Sequence, residues 1–448
     1  MSGYLGNQPV PQATQTRDAF TATAGQTSFS CSGYTPNFLD VFLNGVKLAA
    51  ADYTATNGSD VVLASGAVVN DILEVVAYTT FDTANVTASS GFTVTGNLSV
   101  DGGTIKLDGN YPVGTGNVAL GDTALDSLTS GGNNTAVGTE ALTSNASGNA
   151  NTAMGRAVLN STTGSQNSGF GSLALYDNTS GQYNTALGAE ALTNNTTASN
   201  NTAVGFQAGY ANTTGAYNTF LGDIAGRDNT TGSANTAVGY GSMFEGTTTG
   251  TSNTAVGSVS MQNLSSGSYN VAVGTDSLKA NTTASNNTAV GYQAGYYTTT
   301  ANRLTAIGQF AGYGQATGAE NTYVGYGSGP NTVANASGQY NTGLGTFALY
   351  SNTTGSESTA VGYQAGYSNT TGRITAMGRH AVKNNTTAVE VTGIGYRALR
   401  DNTTGQYNTS VGGDALMQNT TAGSNTAVGY QALYDNTTGG VNTAVGAS

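Results

Sequence analysis

At 448 residues the chain has room for about three ordinary domains, yet with 65 glycines, no Trp and 8% charged residues it has the composition of none. Disorder goes with high charge and few β-branched residues, whereas here Thr and Val recur at fixed spacing, so order by repetition is expected. A net charge of −12, with twelve Lys and Arg read as scattered singly, argues against nucleic acid, whose phosphates need clustered cations. Cys31 is alone, which excludes an intrachain disulfide. No apolar run approaches the ~20 residues of a membrane span. The start, Met1-Ser2-Gly3-Tyr4-Leu5-Gly6, lacks the basic and apolar regions of a secretory signal.

In chain order, residues 1–85 are predicted to form a small antiparallel β-sandwich. Phe38-Leu39-Asp40-Val41-Phe42-Leu43 alternates as a strand, and Asn44-Gly45 is a strong hairpin signal into Val46-Lys47-Leu48. Asp52–Thr56, Asp60–Leu63 and Asp71–Tyr78 read as further strands. Residues 86–112, with Gly96-Asn97-Leu98-Ser99-Val100-Asp101-Gly102-Gly103, read as an extended connector.

Residues 113–448 repeat. A Gly that follows a small–apolar pair recurs at 121, 138, 155, 171, 188, 205, 222, 239, 257, 274, 291, 308, 325, 345, 362, 378, 395, 412, 429 and 446. The spacing is 17, slipping to 16 twice, 18 once and 20 once. A fixed period of this kind is the signature of a solenoid. In the coil around Gly138, Asn134-Thr135-Ala136-Val137 is a short strand that places Thr and Val on one face and Ala on the other. Gly138 turns a corner that a Cβ would resist. The Ala141-Leu142 pair is a second short wall, and clusters such as Asp435-Asn436-Thr437-Thr438-Gly439 have turn chemistry. The fold expected is all-β, a solenoid of about 20 coils, roughly 90 Å long at the β interstrand spacing. Asn, Thr and Val should each stack in ladders.

Two large apolar side chains per coil contribute on the order of 3–6 kcal/mol, against at least ~17 kcal/mol to order seventeen backbones. The core is thin, so a homo-oligomer is expected, with the Ala/Gly face as the surface on which neighbouring chains approach.

Two segments resemble known families. Asp40-Val41-Phe42-Leu43-Asn44-Gly45-Val46-Lys47-Leu48, with Asp52-Tyr53-Thr54 and Asp71-Ile72-Leu73-Glu74-Val75-Val76, resembles an N-terminal module of bacteriophage tail-fibre proteins, notably those of cyanophages. The repeat, in the frame Asn133-Asn134-Thr135-Ala136-Val137-Gly138, is similar to the head repeats of trimeric adhesins of the YadA-like, hemagglutinin type, which build a β-roll within a trimer. The period here is longer than in those adhesins. The resemblance implies a homotrimeric structural protein of a virion tail fibre, assembled in the host cytoplasm and acting outside the cell. Its N-terminal unit would meet a tail or baseplate protein and its shaft would space the virion from a host surface. Because Ser448 falls inside a repeat, a tip protein or chaperone is expected over the last coil. The alternative is a bacterial extracellular adhesin or surface filament.

The chain is expected to be no enzyme and to hold no cofactor or metal. Its carboxylates fall two residues after the Gly (Glu140, Glu190, Asp276, Asp414) or in the turn (Asp177, Asp228, Asp401, Asp435), both read as surface positions, too sparse to make the paired acids of a glycosidase. His380 is the one His, read as a solvated ladder residue. The Asn-Thr-Thr triplets match a glycosylation pattern but read as turn chemistry. Tyr residues precede the repeat Asn (Tyr183, Tyr217, Tyr269, Tyr340, Tyr407) or follow the Gly, and among the latter Tyr292, Tyr363 and Tyr430 are possible glycan contacts. The extra residues in 241–252 and 326–339 are expected to bulge outward.

Overall fold

The computed structural model describes residues 15–78, 114–330 and 335–447. The expected connector at 86–112, residues 331–334 of the second insertion and Ser448 lie outside the described residues. The chain forms two compact units, Met1–Thr104 and Ile105–Ser448, and is all-β throughout the described residues.

The first unit contains β1 (Gln15–Thr21), β2 (Gln26–Ser30), β3 (Leu39–Leu43), β4 (Val46–Lys47), β5 (Tyr53–Thr54), β6 (Asp60–Ala67) and β7 (Ile72–Tyr78). They make two antiparallel sheets, β1-β7-β3-β4 and β2-β6-β5, which share a core of Phe29, Val41, Val61, Leu63, Leu73 and Val75. The Asn44-Gly45 hairpin has positive φ at both residues, 49° and 79°, as a type I′ turn requires. Asn44 also ties this turn to the next strand, since its Oδ1 accepts from the Ile72 N–H at 2.9 Å and its Nδ2 donates to Asp71 Oδ1 at 2.8 Å. Strands β1 and β2 were not foreseen from the sequence. Both are edge strands with mostly exposed side chains, so no hydrophobic alternation marks them.

The second unit is the solenoid. Twenty three- or four-residue strands, β8 (Val118–Leu120) to β27 (Thr443–Val445), pair parallel, each with the strand one coil away. The register is one-to-one: Val137, Met154 and Phe170 stand one over the next. No pair joins β27 back to β8 among the described residues, so the sheet is an open ladder and not a closed barrel.

The side chains face the other way from the expected packing. Ala136, Ala153, Ala186 and Ala203 are fully buried inside the chain's own coil, while Thr135 and Val137 look outward and are only half-buried. The Ala/Gly face is therefore the interior and cannot be the surface that neighbouring chains share. A coil this narrow has room for one methyl opposite Leu142, which is why the inward position is small. The wall Ala141-Leu142 is buried, as expected.

Two columns of Asn, buried almost throughout, run through the interior. In the column before the strand, the Asn134 backbone N–H donates to Asn117 Oδ1 at 2.8 Å, and Asn134 Nδ2 donates to the Gly148 carbonyl at 2.9 Å. In the turn column, Nδ2 of Asn195, Asn212 and Asn229 each donates to Oδ1 of the Asn one coil earlier at 2.8 Å. These Asn are the first residues of the Asn-Thr-Thr triplets, and their burial supports turn chemistry over glycosylation. A buried amide without a partner costs about 1–3 kcal/mol, and the ladder supplies the partner from the coil next door.

Each coil turns its corners with left-handed residues. Beyond Gly138 (φ 130°), the coil places Glu140, Leu142 and Ala150 at φ 60°, 54° and 55°. Such a conformation costs a non-Gly residue about 1–3 kcal/mol. Burying the Leu side chain contributes about 1.5–3 kcal/mol, which offsets the strain. Gly takes the Leu position where another side chain already fills the space. A Cβ on Gly209 or Gly226 would stand 2.5 or 2.2 Å from the ring of Phe220, and Tyr323 fills the same role beside Gly312 and Gly329. Tyr323 is fully buried, its hydroxyl donating to Gln315 Oε1 at 3.3 Å, and burial pushes its phenol pKa upward.

Candidate functional site

The interior is filled, mainly by Ala, Leu and Asn, so the chemistry available to a partner lies in the outward columns. The first is the strand's outer face, where the residue before each Gly forms a line of apolar side chains. Leu120, Met154, Leu187, Leu221 and Leu344 are exposed in it.

The second column begins at the residue after the Gly. Tyr292, Tyr363 and Tyr430 stand there, 44%, 42% and 58% exposed. Of the three, Tyr292 belongs to a continuous aromatic face. Tyr292 meets Phe310 edge-on at 5.5 Å, Phe310 meets Tyr326 at 6.0 Å, Tyr326 meets Phe347 at 5.1 Å and Phe347 meets Tyr367 at 6.3 Å. Tyr350 and Tyr367 are stacked at 5.0 Å with their planes 2° apart. Tyr296, Tyr297 and Tyr313 form a second cluster beside Phe310, where burial and the hydrogen bond with Tyr297 push the Tyr313 phenol up to about 12. Tyr363 packs against His380 at 5.4 Å. Tyr430 lies two coils beyond Tyr396, outside this chain of rings.

Next to the rings is a concentration of positive charge. Five of the twelve Lys and Arg fall between residues 373 and 400: Arg373, Arg379, Lys383, Arg397 and Arg400. The cations are not scattered singly, since these five fall within 28 consecutive residues. Arg373 pairs with Glu357 at 2.7 Å and also with Glu390; Arg397 pairs with Asp414 at 2.7 Å, and Arg400 with Asp401. Asp414 is thus buried, 5% exposed, and not the surface residue expected. Arg379 and Lys383 have no ion pair among the described residues. Arg379 is exposed and lies 5.9 Å from the ring centre of Tyr363 and 5.8 Å from that of Tyr396, within reach of a cation–π contact. Arg397 lies 4.5 Å from the Tyr396 ring. His380 is half-buried in this group; burial, then Lys383, Arg379, Arg400 and Arg397, hold its pKa below the ordinary 6.5.

The Tyr before the repeat Asn, such as Tyr183, Tyr217 and Tyr269, form a further exposed set. The rings at Phe310, Phe347, Tyr350 and Tyr367 were missed by sequence reasoning. They sit two and five residues after the Gly, and sorting aromatics by repeat position would have found them. Comparison with known protein families, with curated proteins and with solved structures returns no match.

Proposed function

We propose that the chain is the shaft and base of a virion tail fibre that holds its particle at a distance from a host surface and contributes to attachment. The observation that carries this reading is the unbroken ladder of twenty in-register parallel strands, an interior given over wholly to length. The exposed Val46, Val68, Val69 and Ile72, next in sequence to the Asn44–Asp71 clamp, support docking of the first unit on a tail or baseplate protein. The shaft is a homotrimer in this reading. Its lateral contact is the outer strand face, because a line of exposed apolar residues repeating once per coil is matched in period, about 4.8 Å, by another copy of the same solenoid.

Sedimentation of the full chain tests the assembly. A trimer that falls to monomer when Leu187 and Leu221 are both changed to Lys is the expected result, and a stable monomer of the unaltered protein would overturn the shared-face trimer. Immunogold labelling of particles tests the location: decoration of a tail appendage is expected, and none would remove the fibre reading.

A further inference from the structure

We propose that the face formed by Tyr363, Arg379, His380, Lys383 and Tyr396 binds an acidic polysaccharide, with uronate-type carboxylates on the cations and sugar rings on the two tyrosines. The inference rests on the attachment reading above and gives it a ligand class.

Three features of the face support it. The first is an uncommitted charge. Arg373, Arg397 and Arg400 have carboxylate partners, whereas Arg379 and Lys383 have none among the described residues, in a chain of net charge −12. A guanidinium is a planar fork that matches a carboxylate with two parallel hydrogen bonds. Arg379 rests between two rings without using its N–H donors on a carboxylate.

The second is the spacing. Tyr363, Arg379 and Tyr396 come from three successive coils, so the rings stand about 10 Å apart along the axis with the cation midway. That order of flat ring, charge and flat ring suits a linear chain of sugar rings lying along the shaft. The C–H edges of a pyranose carry partial positive charge and meet the negative face of an aromatic ring. Between Tyr292 and Phe347 the rings meet edge to face and cover one another. Between Tyr363 and Tyr396 they are separated by the guanidinium.

The third is the restricted extent of the charge. Nucleic acid carries a phosphate at every nucleotide and needs a long track of cations. Here the adjacent free cations, Arg379 and Lys383, lie in one coil, the other unpaired cation among the described residues of the shaft, Arg156, stands many coils away, and the acidic shaft between repels a polyanion. A polysaccharide with more widely spaced carboxylates suffers less from that repulsion, since screening limits it to about 8 Å at physiological salt.

The test is binding of the full-length protein to hyaluronate, which carries one carboxylate per disaccharide, with dextran and oligothymidylate as alternatives. Saturable binding to hyaluronate is expected, weakened by salt and by at least about tenfold, one 1.4 kcal/mol step, in Arg379→Ala. Tyr363→Ala should weaken it as well, and Tyr430→Ala should leave it unchanged. All three positions are exposed, and circular dichroism checks that the variants fold. Equal binding to dextran, tighter binding to oligothymidylate, no binding at all, or full binding by Arg379→Ala would each overturn the proposal. None of those results bears on sedimentation or on labelling of particles, so the fibre reading stands or falls separately.

Discussion

At the scale of single residues, the protein solves a problem that its composition makes acute. Large apolar side chains are few, and most of those on the strands face outward. Inside, asparagine takes over part of the work of a hydrophobic core. Asn195 shows the full pattern of the turn column: its Nδ2 donates to Asn178 Oδ1 at 2.8 Å and to the Ala198 carbonyl at 3.0 Å, and its Oδ1 accepts from Asn212, whereas Asn352 Oδ1 is left without a partner. Asn195→Ala removes a donor and an acceptor from the middle of the column and leaves Asn178 Oδ1 and Asn212 Nδ2 each short of a partner. We predict a loss of about 1–3 kcal/mol, read by urea denaturation. A change under about 0.5 kcal/mol would mean that the ladder is decorative.

At the scale of one coil, the elements are defined by exchanges between neighbours. Coil 155 carries Val158 where nearly all others have Ala or Ser, and the next coil answers with Gly169 in place of Ala. A Cβ on Gly169 would stand 2.4 Å from Val158 Cγ1. Gly169→Ala alone is predicted to overpack the interior, at a cost of about 1–3 kcal/mol. Combined with Val158→Ala it restores the arrangement of other coils, and the pair should show a favourable coupling of about 0.5–3 kcal/mol. Strict additivity in the denaturation midpoints would refute the exchange. Such pairs also explain what the sequence could and could not convey. The period, the strand Thr135-Ala136-Val137 and the corner at Gly138 were legible because one residue type recurs at each position. The inside and outside of the strand were not legible, because a small residue such as Ala136 suits a surface on which chains meet as well as the narrow bore of the coil, where it is buried. The left-handed residues Glu140, Leu142 and Ala150 were invisible, because their side chains carry no signature of positive φ; only the alternation of Leu142 with Gly209 and Gly226 hinted at it. The face at Tyr363 and Arg379 was half legible. Its tyrosines sit at a recurrent position and its cations crowd into residues 373–400, but which of those cations are paired with carboxylates of neighbouring coils emerges only when the coils are stacked.

At the scale of the molecule, contacts in the shaft run between neighbouring coils, so stability is a sum of coil and interface contributions along one axis. Deleting residues 185–201 joins Asn184 to Thr202 and keeps every column aligned. We predict a folded shaft shorter by about 5 Å. Deleting residues 185–192 alone brings unlike residues into register and should abolish the cooperative transition. Circular dichroism and small-angle scattering distinguish the two, and equal behaviour of the two deletions would sink the idea that register governs folding. The columns also impose a grammar. Every interior residue belongs at once to a word read along the chain, as a turn or a strand, and to a word read down the stack, as a ladder. A substitution there must make sense in both directions, like a letter in a crossword, and it is on the outward positions, bound by the first reading alone, that the vocabulary is free to change.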